Sequence, residues 1–173
     1  MNKMLRIPMK PDKIAESLES IPLSMLETWG IEGIILDVDN TILPRTSDTI
    51  AQSVENWILE AKKQFQIIIV SNNSRKKIKR ASQPLQLAYI PWALKPIRYY
   101  FLKASRRIHV EPSKICVIGD QLFTDVKGAK ACKMKAIWVQ PLEPGKDMIW
   151  TKKRRKKEQF WIQKWSCDFS LKI

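Results

Sequence analysis

Five short apolar runs punctuate the chain, and each ends in polar or turn-forming residues. They are 33–37 (GIILD), Gln66–Val70 (QIIIV) before Ser71-Asn72-Asn73, 87–90 before Pro91, 114–118 (KICVI) before Gly119-Asp120, and Lys135–Val139 (KAIWV) before Pro141. Unbroken runs rich in β-branched residues, without polar alternation, predict parallel strands buried on both faces. Helical spacing of apolar residues fills the gaps at 49–63, 74–84, 96–108 and 124–132. The alternation predicts an α/β fold: a doubly wound, open parallel sheet of about five strands flanked by helices. Residues 11–29 are predicted to form one or two short helices, with Pro22 between them or in the first turn of the second. No internal repeat is present, and the only low-complexity tract is KKRRKK at 152–157. The chain therefore divides into a lead-in (1–30), an α/β domain (31–145) and a basic, Trp-rich C-terminal segment (146–173).

Charge changes this picture more than composition does. At 173 residues and 45% hydrophobic content, the chain has an ordinary globular make-up. Its 31 Lys and Arg against 17 Asp and Glu give a net charge of +14, which predicts affinity for polyanions, anionic lipid surfaces or phosphate-bearing substrates. The excess is local: residues 71–107 hold ten basic and no acidic groups, and residues 146–173 hold nine basic and three acidic. No apolar run reaches the ~18 residues of a membrane span. The N-terminus breaks at two prolines and lacks an apolar signal core, so the expected location is the cytoplasm or the cytoplasmic face of a membrane. Cys116, Cys132 and Cys167 cannot all pair within one chain and read as free thiols in a reducing compartment.

In a doubly wound sheet, ligands bind outside the carboxyl ends of the strands. Asp37 and Asp39 follow the first predicted strand, Ser71 the second, and Asp120 and Asp125 the fourth. Four carboxylates in one cleft repel unless a cation neutralises them, and oxygen-only ligands point to Mg²⁺ rather than Zn²⁺. The lone His109 supplies no zinc site and reads as a surface or packing residue. Ser71 and Lys95 offer donors to the non-bridging oxygens of a phosphoryl group. A carboxylate nucleophile, a metal, a hydroxyl and a lysine are the parts of phosphoryl transfer through an acyl phosphate.

These residues fall into four ordered motifs. They are Asp37-Val38-Asp39-Asn40-Thr41, Ser71, Lys95 in Leu94-Lys95-Pro96, and Gly119-Asp120-Gln121-Leu122-Phe123-Thr124-Asp125. In this the chain resembles the haloacid dehalogenase (HAD) superfamily of phosphatases over about residues 31–142. The phrases ILDVDNT, VSNNS, LKP, VIGDQLFTDV and WVQPL, with Thr151, Arg155 and Glu158, are similar to its YqeG branch, which includes phosphatidylglycerophosphatase-like members. Two departures stand out: Lys133 at a position suited to Gly, and Arg154 in place of the branch's Asn. The resemblance implies a Rossmann-like sheet, Asp37 as nucleophile and Asp39 as general acid and then base. It places Mg²⁺ on the Asp37 carboxylate, the Asp39 backbone carbonyl and Asp120, with Asp125 in support. Asn40, Thr41, Ser71, Asn72 and Lys95 are the implied phosphate or substrate contacts. Asn73 and Gln121 read as local turn stabilisers.

HAD enzymes often select substrates with a cap domain inserted between the first and second or second and third motifs. Here those intervals span about 30 and 24 residues, too few for a separate folded cap of roughly 50. The site is therefore expected to be open, suited to a phosphate projecting from something large. The expected substrate is an anionic phospholipid head group, phosphatidylglycerophosphate, with peripheral membrane contact through the basic and aromatic segments. The tail combines its six consecutive cations with Trp150, Phe160, Trp161, Ile162 and Trp165, a composition suited to lipid interfaces, although these aromatics could instead pack on the domain. Two alternatives remain: the same chemistry on a nucleic-acid end or a phosphoprotein, and a non-catalytic nucleic-acid or ribosome-associated module. Clustered carboxylates repel nucleic acid, which places that partner second.

Overall fold

The computed structural model describes residues 8–47, 49–147 and 149–170, with the side chains of residues 149–150 and 167–170 left outside the description. Trp150 and Cys167, singled out in the sequence, therefore have no described side chain. The chain order is β1 (Lys13–Ala15), α1 (Leu23–Thr28), β2 (Gly33–Leu36), α2 (Gln52–Ala61), β3 (Gln66–Val70), α3 (Arg75–Leu85), β4 (Ala88–Ile90), α4 (Arg98–Ile108), β5 (Ile115–Gly119), α5 (Lys127–Ala131), β6 (Lys135–Val139) and α6 (Ile149–Ser170). The strands form one parallel sheet in the order β1-β6-β5-β2-β3-β4.

The sheet has six strands, one more than the apolar runs predict. The extra strand, β1, lies in the segment expected to be helical. It is three residues long, carries a lysine, and sits at the sheet edge, so it needs no apolar run to pair. Asp12 guides it: its amide donates to the Ala136 carbonyl at 2.8 Å, and its carboxylate accepts from the Ala136 amide at 2.7 Å and from Lys130 Nζ at 2.5 Å. The second half of the predicted helical lead-in does form α1.

Alternation within each buried strand divides the core into two faces. Ile34, Leu36, Ile69, Ile118 and Val139 face α2 and α3, packing with Trp57, Ile58 and Ile78. Ile35, Ile68, Val70, Val117 and Trp138 face α4, α5 and α6, packing with Phe101, Ala129 and Trp165. This double winding explains why strand and helix are both apolar here. Gly128 is fixed by packing, because a Cβ there would fall 2.1 Å from the Phe101 ring. Lys133 adopts φ 60°, a left-handed conformation that suits Gly better by about 1 kcal/mol. His109, at φ 56°, simply ends α4 on the surface.

In the C-terminal helix Ile162 and Trp165 pack on the domain, the second of the two placements the sequence left open. Thr151, Arg155, Glu158, Ile162 and Trp165 are all buried. Their spacing of four, three, four and three residues is one helix face. That face is polar near the site and apolar further along, where Ile162 and Trp165 join the core. Arg155 thus turns inward out of the KKRRKK run, and among the described residues of the helix Phe160 is the large aromatic left exposed, at 61%.

Candidate active site

Strand order reverses at β2, whose neighbours are β3 on one side and β5 on the other. The crevice at such a switch point is where a doubly wound sheet binds ligands. A cleft of about 310 Å³ opens there, lined by Asp37, Asp39, Asn40, Ser71, Asn72, Lys95 and Asp120 among others. A larger groove of about 460 Å³ lies along α6 beside β1, but among the described residues no set of carboxylates converges in it.

The loop after β2 is a tight turn. The Thr41 and Ile42 amides both donate to the Val38 carbonyl, at 3.2 and 3.0 Å. Asn40 sits at its apex with φ 61°, a conformation Asn tolerates better than most residues. Its side-chain amide donates to Asp147 Oδ1 at 3.2 Å and its oxygen accepts from the Glu143 amide at 3.1 Å. Asn40 therefore ties the motif loop to the entrance of α6. Thr41 is buried beneath the loop, and its hydroxyl has no partner among the described residues.

Lys95 is the hub of the cleft. Its Nζ lies 2.7 Å from Asp37 Oδ1 and 2.6 Å from Asp125 Oδ1. Burial opposes its positive charge, but the Asp125 and Asp37 carboxylates more than offset this and hold its pKa above the ordinary lysine value. Asn72 fixes the approach of Lys95 by accepting from its backbone amide at 2.7 Å. Ser71 is buried at the end of β3, and its hydroxyl accepts from the Asn73 side chain at 3.3 Å. Asp125 completes its own bonding through Gln121 N and Thr124 Oγ1. It lies on a wide π-helical turn, Leu122–Val126, where the sequence predicts plain helix from 124. That turn folds Asp125 under Gly119, and a Cβ on Gly119 would stand 2.5 Å from the Asp125 carboxyl carbon. The glycine of the fourth motif is thus required by close approach.

Further residues complete the site around these motifs. Lys77 of α3 places Nζ 2.6 Å from Asp39 Oδ1 and also donates to the Arg45 carbonyl. Arg45, Asp147, Thr151 and Arg154 line the same cleft. Arg155 donates to Asp147 Oδ2 at 2.6 Å, to the Asp120 carbonyl at 2.8 Å and to Asp120 Oδ2. The resemblance noted through Thr151, Arg155 and Glu158 was the available signal for Thr151 and Arg155. For Lys77 and Asp147 there was none, since both read as members of solvated charge runs.

The donor set fits a hard divalent cation. Asp37, Asp120 and Asp125 each offer a carboxylate oxygen, and these lie within 4.8 Å of one another. Asp120 Oδ1 is buried without a hydrogen-bond partner among the described residues, while Arg155 occupies its other oxygen. An orphaned buried carboxylate oxygen is costly unless something binds it.

Burial also shapes the titration of this cluster. It pushes the Asp37 carboxyl up to about 6 against the pull of Lys95, and the Glu158 carboxyl up to about 7 against the pull of Arg155. Asp120 is raised well above the carboxylate range for the same reason, with Arg155 opposing. The folded protein therefore holds protons that the unfolded chain releases. This stabilisation is complete below the ordinary values of 3.8 and 4.5 and is lost as pH rises through about 6 and about 7. In EDTA, unfolding free energy should fall between pH 4 and 7.5 from these groups, each unit of raised pKa being worth about 1.4 kcal/mol. Mg²⁺ should restore most of it at pH 7.5 and little at pH 4. Urea titrations test this, and a midpoint that rises with pH and ignores Mg²⁺ would contradict it.

Comparison with known proteins agrees with this geometry. The sequence profile of the family described as mitochondrial PGP phosphatase matches residues 4–142. The chain is 32% identical over 140 residues to the probable phosphatase YqeG of Bacillus subtilis, covering 80% of this chain and 81% of that one. Among solved structures, a HAD phosphatase from Thermococcus onnurineus superposes with a TM-score of 0.51 at 17% identity, over 68% of this chain and 89% of its own. The cobalt-bound deoxy-D-mannose-octulosonate 8-phosphate phosphatase of Haemophilus influenzae gives a TM-score of 0.50 at 15% identity, over 63% and 69%. At these identities the two structures speak for the fold alone.

Proposed function

The chain belongs to the mitochondrial PGP phosphatase family and is a YqeG-like phosphatase of the HAD superfamily; on that premise we propose that it hydrolyses the phosphomonoester of phosphatidylglycerophosphate through an aspartyl-phosphate on Asp37. The observation that carries the reading is the buried Asp37 carboxylate, held by Lys95 in a cleft that also gathers Asp39, Asp120 and Ser71. Asp37 attacks phosphorus, the ester oxygen leaves as an alcohol, and water later cleaves the acyl phosphate. Lys95 neutralises the non-bridging oxygens, joined by the Ser71 hydroxyl and the neighbouring amides. Asp39, two residues on and paired with Lys77, gives a proton to the leaving oxygen and takes one from the attacking water.

Mg²⁺ would be held by Asp37, Asp120 and the Asp39 carbonyl, with Asp125 behind them, and when bound it supplies charge compensation for the phosphoryl oxygens. Asn40 and Thr41 keep the motif loop in shape, and Asn72 sets the position of Lys95.

The lipid substrate is supported by the family description and by the intervals between motifs, which contain only α2 with β3 and α3 with β4. A cleft without a cap accepts a phosphate standing on a surface. The test is phosphate release from phosphatidylglycerophosphate in mixed micelles, with Mg²⁺ and then with EDTA. Mg²⁺-dependent release at least a hundredfold above that from a soluble glycerol phosphate is expected, as kcat/KM. Equal rates on the two would leave a phosphatase with no lipid preference.

A further inference from the structure

Four large apolar side chains stand exposed within eight residues beside the cleft: Trp92 at 59%, Leu94 at 57%, Ile97 at 49% and Tyr99 at 56%. Among the described residues, the other exposed large apolar side chains, Met9, Leu59, Leu142 and Phe160, are scattered along the chain. Single exposed apolar residues are ordinary, but a contiguous group marks an interaction site.

This group is tied through its backbone to residues that line the cleft. The Trp92 amide donates to the Asn73 carbonyl and the Ala93 amide to the Ser71 carbonyl, both at 3.0 Å. Lys95, between Leu94 and Ile97, reaches into the site. Trp92 and Leu94 are also held at φ 51° and 46°, left-handed conformations that bulky residues avoid. Apolar side chains kept exposed on strained backbone next to a reactive centre point to use rather than accident.

The surroundings identify what the group meets. Exposed Arg75 and Lys76 open α3 directly after the Ser71–Ser74 turn, and exposed Arg98 and Lys103 lie on α4. Lys103 Nζ is 5.8 Å from the centre of the Tyr99 ring. No acidic residue occurs anywhere from 71 to 107. Cations around an aromatic and aliphatic group match an anionic lipid interface, where phosphates lie above acyl chains. A nucleic-acid backbone would engage the cations and stack on Trp92, but would leave Leu94 and Ile97 in water.

We propose that the loop between β4 and α4 is a membrane-docking rim. Trp92, Leu94, Ile97 and Tyr99 enter the boundary between head groups and acyl chains of an anionic bilayer. Arg75, Lys76, Arg98 and Lys103 bind its phosphates. The cleft mouth is thereby held against the surface from which a lipid phosphate projects. This deepens the lipid-phosphate reading and rests on it for its purpose, while its test needs no turnover.

The test is co-sedimentation in EDTA with vesicles of phosphatidylcholine alone or mixed with phosphatidylglycerol. The wild type should partition at least tenfold more strongly onto the anionic vesicles, and less so at high salt. The double variant Trp92→Gly with Tyr99→Ser should lose at least tenfold of that partitioning. Glycine suits the backbone at position 92, so the fold should be kept. Mg²⁺-dependent turnover of a soluble aryl phosphate within twofold of wild type checks this. A second pair, Arg98→Gln with Lys103→Gln, should lose binding to the anionic vesicles by a similar factor. Wild-type binding that is no tighter to anionic than to neutral vesicles would overturn the proposal. So would unchanged binding by the Trp92 variant, or binding to single-stranded DNA but not to vesicles. If lipid phosphate is still released in micelles in those cases, the docking rim alone falls and the phosphatase reading stands.

Discussion

Asp37→Asn lowers Mg²⁺-dependent phosphomonoester turnover at least a thousandfold and leaves a protein that is as stable as wild type, or more so, in EDTA. The amide preserves the volume and one oxygen, so packing beneath the motif loop is kept. What is lost is a nucleophile, since a neutral amide oxygen does not displace an alcohol from phosphorus. A thousandfold loss corresponds to about 4 kcal/mol of barrier. The stability half of the expectation comes from burial, which raises the Asp37 pKa to about 6 in the folded protein. At pH 7.5 its ionised form is therefore a cost to the metal-free fold, and the substitution removes that cost. Lys95 loses one partner but keeps Asp125 at 2.6 Å, so its charge stays paired. Paired measurements decide the matter: turnover of an aryl phosphate, and the urea midpoint with EDTA and with Mg²⁺. The Mg²⁺-induced rise in midpoint should shrink in the variant, because a ligand charge is gone. Retention of a tenth of wild-type turnover, with the fold intact, would remove Asp37 from the role of nucleophile.

Much of this site was legible because its parts sit where a chemical need and a structural need coincide. Strands β2, β3, β5 and β6 are buried on both faces, so each writes itself as an unbroken apolar run, and the polar residue that ends the run is the one delivered to the cleft. Asp37, Ser71 and Asp120 are of this kind. Lys95 follows the short edge strand β4 and was placed by its motif, but its direct pairing with Asp37 and Asp125 was not predicted. Strand β1 was invisible because three residues at an edge need only backbone partners, which Asp12 secures through the sequence-distant Ala136. The α6 helix was legible only in part, for a different reason. Its buried stripe runs through Thr151, Arg155 and Glu158 before it turns apolar, so a reading that looks for apolar periodicity sees only a basic run. Charge composition cannot tell a lysine facing water from an arginine facing two aspartates. Lys77 and Asp147 were missed on the same ground.

Arg155 carries the largest expected stability effect in the molecule. It is 5% exposed, and its guanidinium engages Asp147, Asp120 and the Asp120 carbonyl, with Glu158 at 3.7 Å. Arg155→Met fills most of the same space but takes the paired cation from Asp120 and leaves Asp147 with Asn40 and the more distant Arg45, at 3.7 Å. Removing one partner from a buried ion pair costs about 3–5 kcal/mol, and the α6 helix would lose its anchor to β5. The metal site should change as well. With Arg155 present, one oxygen of Asp120 is held and the other is directed, unpaired, toward the carboxylate cluster. Without it the carboxylate is free to rotate, and loss of such a support typically weakens metal binding roughly 10- to 100-fold. Arg155→Lys keeps the charge but cannot span three acceptors, so it should fall between the two. Arg155→Met with Asp147→Asn should recover part of the lost stability, because one poorly paired charge is neutralised, yet recover little Mg²⁺ affinity, because Asp120 remains unsupported. Urea unfolding and the Mg²⁺ concentration for half-maximal aryl phosphate turnover separate these outcomes. If Arg155→Met unfolds at the wild-type midpoint with unchanged Mg²⁺ dependence, the guanidinium is a bystander, and α6 is held by Ile162 and Trp165 alone.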